Sequence, residues 1–475
     1  MRLSLGAAST AIRTGKPFES PHAFFGLAGG EDADATAAIQ AFARQDVRQG
    51  RPFSSLVTYN TWFAYGIRIT EEALRAEMEQ AAALGAEVFV VDAGWYPGGT
   101  QIADYSTGIG AWRADARRFP SGLGALADHA HSLGMKFGIW IEPERVDTRY
   151  VNGAGSVRES WLAQTGGRYN PGMKNSAADA AQVCLASAEA RQWVVGQIER
   201  LVAEAHLDYL KWDNNYWINC DRSGHGHDAK DGNLAHVKGL YEVLATLRDR
   251  YPDLVIENCA EGGRRLDFGM LRYTDVAWMD DESAPSPHVR HNLEGLNAVF
   301  PSEYLLSFVM DHPSELIHGD ADMAYTFRSR MPGVLGMSLI GAEFDENDHR
   351  QMQDEIALSK RIRSSVPQPI PLLLTAQAAA AGGPTWDAIA LVSGDSRNAV
   401  LLTFAGEGAD GWATLRLQAL QPDGRYVIRT FHGKRLAEAS GAELMADGVQ
   451  IPKRAAAAAN VLLVELTDTP APLRH

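Results

Sequence analysis

Eight times between Leu56 and Arg363 a short apolar run is followed by an amphipathic helical stretch. The pairs are 56–60 with 70–84, 87–92 with 121–133, 136–142 with 187–205, and 207–213 with 232–250. They continue as 254–259 with 264–271, 276–281 with 286–299, 303–309 with 321–331, and 335–341 with 347–363. Eight β-then-α units in about 310 residues is the count and size of a (β/α)8 TIM barrel. A doubly wound open sheet is the competing arrangement. It calls for a Gly-rich phosphate turn after the first strand, and YNTWFAYG (59–66) carries one glycine.

Residues on either side of this rhythm read differently. Residues 1–50 are rich in Gly and Ala, with a polar helix-like run from Asp34 to Arg44. They are expected to form an N-terminal collar, the remnant of a larger domain, ahead of a catalytic barrel over 51–366. After Pro367, Pro369 and Pro371 come alternating segments from Trp386 onward, separated by Gly, Asp and Asn turns. These predict a C-terminal antiparallel β-sandwich domain over 367–475, with AAAAAN (455–460) as loop or strand lead-in.

Composition narrows the function classes. A formal net charge of −15 argues against nucleic acid or an anionic membrane as partner, and the apolar runs are too short for a membrane-spanning helix. The stretch MRLSLGAASTAIRTG (1–15) lacks the apolar core of a secretory signal, and Cys184, Cys220 and Cys259 form no disulfide framework. A cytoplasmic protein is the expectation.

In a barrel, all strand tips share one face, and that face holds the chemistry. Here the tips offer Asn60, Thr61 and Trp62; Asp92, Trp95 and Tyr96; Trp140, Glu142 and Glu144; Lys211, Asp213, Asn214 and Asn215; Asn258 and Cys259; and Trp278, Asp280, Asp281 and Glu282. Carboxylates, amides and indoles on one rim suit a carbohydrate, because sugar C–H faces stack on indole and hydroxyls take forked hydrogen bonds. An acid at the tip of a buried strand is costly unless it is paired or employed. Asp213 and Asp281, on the fourth and sixth strands, are the pair that glycosidic cleavage needs: one attacks the anomeric carbon and the other protonates the leaving oxygen. Lys211, two residues earlier on the same face, is expected to hold Asp213 as a carboxylate, and Asp281 is expected in a poorly solvated position. Cys259 as a nucleophile has no histidine placed to activate it, so a buried wall residue is the better reading. His225 and His227 lie in SGHGHDAKDGN (223–233), which has the composition of a solvated lid loop, so no metal and no cofactor are expected.

The ordered motifs DAGW (92–95), FGIWIEPE (137–144), LKWDNN (210–215), ENCAEGGRRLDFGML (257–271) and WMDDES (278–283) resemble glycoside hydrolase family 36, the α-galactosidase or melibiase family. The resemblance runs from about residue 20 to 366 and implies a retaining, exo-acting α-galactosidase-type hydrolase of carbohydrate metabolism, without a metal. It puts the nucleophile of the family's Lys-Trp-Asp motif on Asp213 and the acid/base on Asp281, with Asp280 at the family's Ser position. Substrate contacts carry over to Asp92, Trp140, Lys211, Cys259 and Gly262, joined by Asn60, Trp62 and Arg265 from matching motifs. Trp95, Glu142 and Asn214 are further candidate contacts from the strand tips. The chain departs from the family at Ala93, where a second acid is usual, at Glu261 and Arg264 within the Gly-rich turn, and at Ala284. These departures bear on the glycone, with α-N-acetylgalactosaminide and pentopyranoside as alternatives to galactoside. A transglycosylase is a second enzymatic reading, and a non-catalytic sugar-binding barrel is the reading from another class. Family members are often dimers or tetramers, which leaves a homo-oligomer open.

Overall fold

The computed structural model describes residues 22–30, 32–98, 105–153, 156–169, 180–318, 322–453 and 459–467. The stretch 1–15, read above for a signal, and most of 455–460 lie outside the described residues. Eight parallel strands close into a barrel. They are β1 (Thr58–Asn60), β2 (Val88–Val91), β3 (Lys136–Ile141), β4 (Tyr209–Trp212), β5 (Val255–Asn258), β6 (Val276–Trp278), β7 (Leu305–Met310) and β8 (Val334–Ser338). The helices that follow them are α1 (Glu71–Leu84), α2 (Gly122–Ser132), α3 (Ala188–Glu204), α4 (Gly232–Arg250), α5 (Phe268–Tyr273), α6 (Ser286–Asn297), α7 (Met323–Arg328) and α8 (Glu346–Ser365). The expected barrel is therefore present. Its strands are buried on both faces, as at Val88–Val91 and Tyr209–Trp212, because helices cover the outside and side chains fill the inside.

The chain divides into two compact units, one holding Asn60–Ala82 and Val88–Asp275 and the other Leu27–Tyr59, Ala83–Glu87 and the residues from Val276 on. In the first, β2, β3, β4 and β5 pair in register, with Trp140 opposite Lys211 and Lys211 opposite Glu257. Residues matched across a parallel ladder point the same way, so this row of three side chains shares one face. Gly138 sits where an added Cβ would lie 2.8 Å from the Tyr209 side chain, so β3 and β4 need a glycine there. Ser187 and Asp267 cap α3 and α5 through their side-chain oxygens.

In the second unit, a helix at Asp32–Phe42 corresponds to the predicted polar run, and Gln40 donates to the Asn297 and Phe300 carbonyls. The C-terminal part is a six-stranded antiparallel sheet in the order β9-β10-β11-β16-β13-β14. Its strands are β9 (Ile370–Leu373), β10 (Trp386–Val392), β11 (Asn398–Ala405), β13 (Arg425–Thr430), β14 (Arg435–Ser440) and β16 (Ala459–Leu466). A two-stranded ribbon of β12 (Trp412–Leu415) and β15 (Val449–Pro452) supplies Leu415, Val449 and Ile451 to the same core as Leu401, Ile428 and Val464. The sandwich is thus lopsided, six strands against two. Arg290 of α6 is buried and donates to Asp387 of β10 at 2.6 Å.

Candidate active site

The tips of β2, β3 and β4 build a polar nest around two aspartates. Asp92 follows β2 and is buried; its Oδ2 accepts from Lys211 Nζ at 2.7 Å and from Asn60 Nδ2 at 2.8 Å. Its Oδ1 accepts from the Ala93 N–H at 2.8 Å. Burial works against the Lys211 charge, but Asp92, Cys259, Glu257 and Asp213 together outweigh it and keep the ammonium above its ordinary range. The Asp213 charge is among the groups that favour the Lys211 ammonium, as the strand spacing suggested, while the hydrogen-bonded partner of the lysine is Asp92. The lysine stem is long enough to reach past its neighbour on the strand to the tip of β2.

Asp213, just past β4, is buried and takes its donors from elsewhere: its Oδ2 accepts from Trp140 Nε1 at 3.1 Å and from Asn215 Nδ2 at 3.0 Å. Its Oδ1 is buried and accepts no hydrogen bond. One carboxylate oxygen is clamped and the other is left without a donor, an arrangement that costs free energy in a merely structural aspartate.

Two glutamates behind this nest are pushed in opposite directions. Glu142 is fully buried; its Oε2 accepts from Arg145 at 2.6 Å and its Oε1 from the Asn215 N–H at 3.1 Å. Burial raises its pKa to about 7, with Arg145 opposing and the Asp213 charge adding to the rise. Arg145 also donates to the Tyr105 hydroxyl at 3.0 Å, and its guanidinium lies over the Tyr216 ring. Glu144 is equally buried but collects four donors. Trp212 Nε1 (2.8 Å) and Arg265 Nη2 (2.9 Å) reach Oε1, and Asn214 Nδ2 (3.2 Å) and His236 Nε2 (2.7 Å) reach Oε2. Burial acts against this charge too, yet Arg265 and His236 overcome it and bring the pKa to about 2. Glu257, opposite Lys211, is raised to about 7 by burial with Lys211 opposing; Tyr209 donates to its Oε2, and its Oε1 has no partner.

Of the predicted contacts, Asp92, Asp213, Trp140, Lys211 and Asn60 come together in this nest, and three expectations change. Trp95 is fully buried among Tyr96, Trp112 and Trp140 and donates to the Trp140 carbonyl, so it props the site instead of stacking on a ligand. Glu142 has both oxygens occupied and no exposed surface, which makes it a positioning residue for Asn215. Asn60 is also fully buried, with Nδ2 on Asp92 and Oδ1 accepting from the Trp62 N–H, so it orients the acid. Asn214 and Arg265 are tied to Glu144 through Nδ2 and Nη2. Trp62 is half-buried, its ring edge-on to Tyr105 at 6.0 Å. Cys259 is a buried wall residue, and Gly262 takes a left-handed φ of 74° in the turn that follows. Glu261 and Arg264 form an exposed ion pair with each other.

On the β6 side, in the second unit, Asp281 is exposed, against the expectation of a poorly solvated acid. Asp280 is folded back into its own loop. Its Oδ2 accepts from His288 at 2.9 Å and from Asn292, and its Oδ1 from the Glu282 N–H at 3.0 Å.

Comparison with known proteins bears on the origin of these strand tips. The family model described as Melibiase matches residues 18–368. The chain belongs to the melibiase family. The model for the glycosyl hydrolase family 36 C-terminal domain also matches, over residues 386–464. Among the melibiase relatives, "Alpha-galactosidase 2" of Pediococcus pentosaceus is 33% identical over 309 residues, covering 64% of this chain and 41% of the relative. "Alpha-galactosidase 2" of Hypocrea jecorina is 27% identical over 412 residues, covering 83% of this chain and 51% of the relative. The chain thus spans about half the length of these curated relatives. Two solved structures share the fold. The Lactobacillus brevis α-galactosidase has a TM-score of 0.78 at 22% identity, covering 94% of this chain and 59% of that one. A Geobacillus stearothermophilus family 36 α-galactosidase, solved with 1-deoxygalactonojirimycin, has a TM-score of 0.77 at 23% identity, covering 91% and 59%.

Two residues bonded into this nest had no signal in the sequence. Tyr105 sits in a long loop after β2, and His236 lies on α4, 92 residues from the glutamate it bonds. Arg145 had a weak signal, lying three residues after Glu142 beyond a buried strand.

Proposed function

We propose that this chain is a retaining α-galactosidase that removes terminal α-galactosyl groups through a covalent glycosyl-enzyme. The observation that carries the proposal is Asp213, whose Oδ2 is held by Trp140 and Asn215 while Oδ1 accepts nothing. In the first half-reaction Asp213 Oδ1 attacks the anomeric carbon, the glycosidic C–O bond breaks, and Asp281 gives its proton to the departing oxygen. In the second, water attacks the same carbon and passes a proton to Asp281, and Asp213 leaves, so the product keeps the α configuration. The choice of Asp281 over Asp280 is supported by the bonds that hold Asp280 in its loop. Asp92, Lys211, Trp140 and Cys259 are the proposed contacts to the sugar. Relatives of this chain are named α-galactosidases, and one similar structure was solved with raffinose, which supports a galactoside as substrate.

Two observations favour a second glycone. Ala93 stands where the family usually has an acid, and Glu261 and Arg264 are paired with each other. Weakened grip on the far side of the ring would let a pentopyranoside lacking C6 compete. A panel of p-nitrophenyl α-glycosides of galactose, N-acetylgalactosamine, glucose and xylose, with the β-L-arabinopyranoside that matches α-galactoside without C6, tests both readings through kcat/KM. Galactoside is expected to lead. A β-L-arabinopyranoside, which has the shape of an α-galactoside without C6, within about tenfold would favour the second reading, since a lost charged hydrogen bond is worth about 1.5–3 kcal/mol. No turnover of any α-glycoside would overturn the proposal. The three cysteines are buried and joined in no disulfide, which supports a reducing compartment such as the cytoplasm.

A further inference from the structure

Away from the aspartate nest, four side chains with metal-binding atoms converge where the sequence suggested a solvated lid. Cys184 follows the short strand Ala180–Gln182, and Cys220, His225 and His227 lie in the loop between β4 and α4. Cys184, Cys220 and His225 are buried and His227 is half-buried, although Ser223, Gly224, Gly226, Ala229 and Lys230 of the same loop are exposed, so the solvated reading holds for the loop's surface and not for its two histidines. One donor atom from each lies within 4.8 Å of the others. His225 Nδ1 is 3.4 Å from Cys220 Sγ, and His227 Nε2 is 3.7 Å from Cys184 Sγ. A tetrahedral zinc ion with Zn–S of about 2.3 Å and Zn–N of about 2.0–2.1 Å has S···N edges of about 3.5 Å, a length that these two separations bracket.

The remaining ring nitrogens point to the same conclusion. His225 Nε2 is 2.7 Å from the Ser160 carbonyl and His227 Nδ1 is 2.8 Å from the Asp228 carbonyl. A carbonyl can only accept, so each of these nitrogens carries the proton, and in the neutral ring the opposite nitrogen turns a lone pair toward the sulfurs. Gly226, between the two histidines, has φ of 83°, a left-handed turn that brings both rings to one side. We propose that Cys184, Cys220, His225 and His227 bind one structural zinc ion. Two thiols lose their protons to solvent as two Zn–S bonds form, and two imidazole lone pairs complete the tetrahedron. Two thiolates balance the ion's charge, which suits a buried site. With four protein ligands, no coordination position is open for substrate or water, so the ion braces the chain without entering the reaction. What it braces is the loop that begins at Asp213, tying it to Cys184 and the strand Ala180–Gln182 before it.

The test is metal analysis of the purified full chain, made in zinc-supplemented medium without a histidine tag and dialysed against metal-free buffer. Inductively coupled plasma mass spectrometry is expected to find about one zinc per chain, falling below about a tenth in the Cys184→Ser/Cys220→Ser variant and staying near one in Cys259→Ser. Cobalt-grown wild-type protein should show the intense visible bands of a tetrahedral site and thiolate-to-cobalt charge transfer, a readout that needs no variant to fold. Wild-type protein holding less than about a tenth of an equivalent of either metal would overturn the proposal. So would a Cys184–Cys220 disulfide found by alkylation and peptide mass mapping, or metal content unchanged in the double cysteine variant.

Discussion

Replacing Glu144 with Gln removes a buried charge on which four donors converge. Oε1 takes Trp212 and Arg265, and Oε2 takes Asn214 and His236. Glutamine keeps one acceptor oxygen, so its NH2 must face two donors whichever way the amide turns, and Arg265 or His236 loses its anionic partner. The carboxyl is moved from the ordinary 4.5 to about 2. At 1.36 kcal/mol for each pKa unit, that corresponds to roughly 3 kcal/mol of folding free energy. The shift is downward, so this stability is present above the ordinary carboxylate pKa and is lost as pH falls from about 4.5 through about 2. At pH 7, Glu144→Gln is therefore expected to cost about 3–5 kcal/mol, the range for leaving a buried charge unpaired. Urea unfolding followed by tryptophan fluorescence measures this, since Trp140 and Trp212 are buried in the same region. Wild type should also show an acid-dependent loss below pH 5 that is smaller in the variant. A cost below about 1 kcal/mol at pH 7, with unchanged acid dependence, would refute the view that Glu144 is the site's electrostatic anchor.

Three further outcomes follow from the same geometry. Glu257 is raised to about 7, so its charged form destabilises the fold as pH rises from 4.5 through 7; Glu257→Gln should be more stable than wild type at pH 8, by up to about 3 kcal/mol, and by less than about 1 kcal/mol at pH 5. Thermal melts at the two pH values check this, and an equal difference at both would contradict it. Asp213→Asn should abolish turnover of every substrate, while Asp281→Asn should spare substrates with very good leaving groups and respond to azide with a glycosyl azide of retained configuration. Equal losses across leaving groups in both variants would reverse that division of roles. Trp140→Phe removes a donor from Asp213 Oδ2, and kcat/KM for galactoside should fall by about tenfold to a hundredfold, the equivalent of a charge-assisted hydrogen bond. An unchanged kcat/KM would show that this bond does not serve the reaction.

The barrel was legible because its strands are buried on both faces and its helices are amphipathic, two periodicities that differ plainly along the chain. The nest around Asp213 was legible only as a collection of tips, since each acid stood where an apolar strand stopped. What the sequence could not show was which groups pair. Lys211 reaches Asp92 across the barrel interior, and same-face spacing along β4 carries no information about that reach. The roles of Asn60, Trp95 and Glu142 as supports depend on burial behind the strand tips, which the tips themselves do not reveal. In the C-terminal sheet, β9 contains Pro371, and a proline-rich stretch reads as linker; an edge strand tolerates it because one side of its backbone needs no ladder partner. The charged β14 is the opposite edge and escaped for a similar reason. Cys184 stands 36 residues before Cys220, and Cys220-x4-His225-x-His227 fits no short metal motif, so only folding could bring the four donors together.

The identity of the nucleophile is tested most directly by trapping. A 2-fluorinated α-galactosyl donor with a good leaving group slows both steps, and the second more, so the glycosyl-enzyme accumulates and can be digested and mapped by mass spectrometry. One galactosyl label per chain is expected, on the peptide carrying Asp213 and on that side chain. A label on any other residue, or fast turnover of natural substrate with no trapped species and β-galactose as the first product, would contradict it.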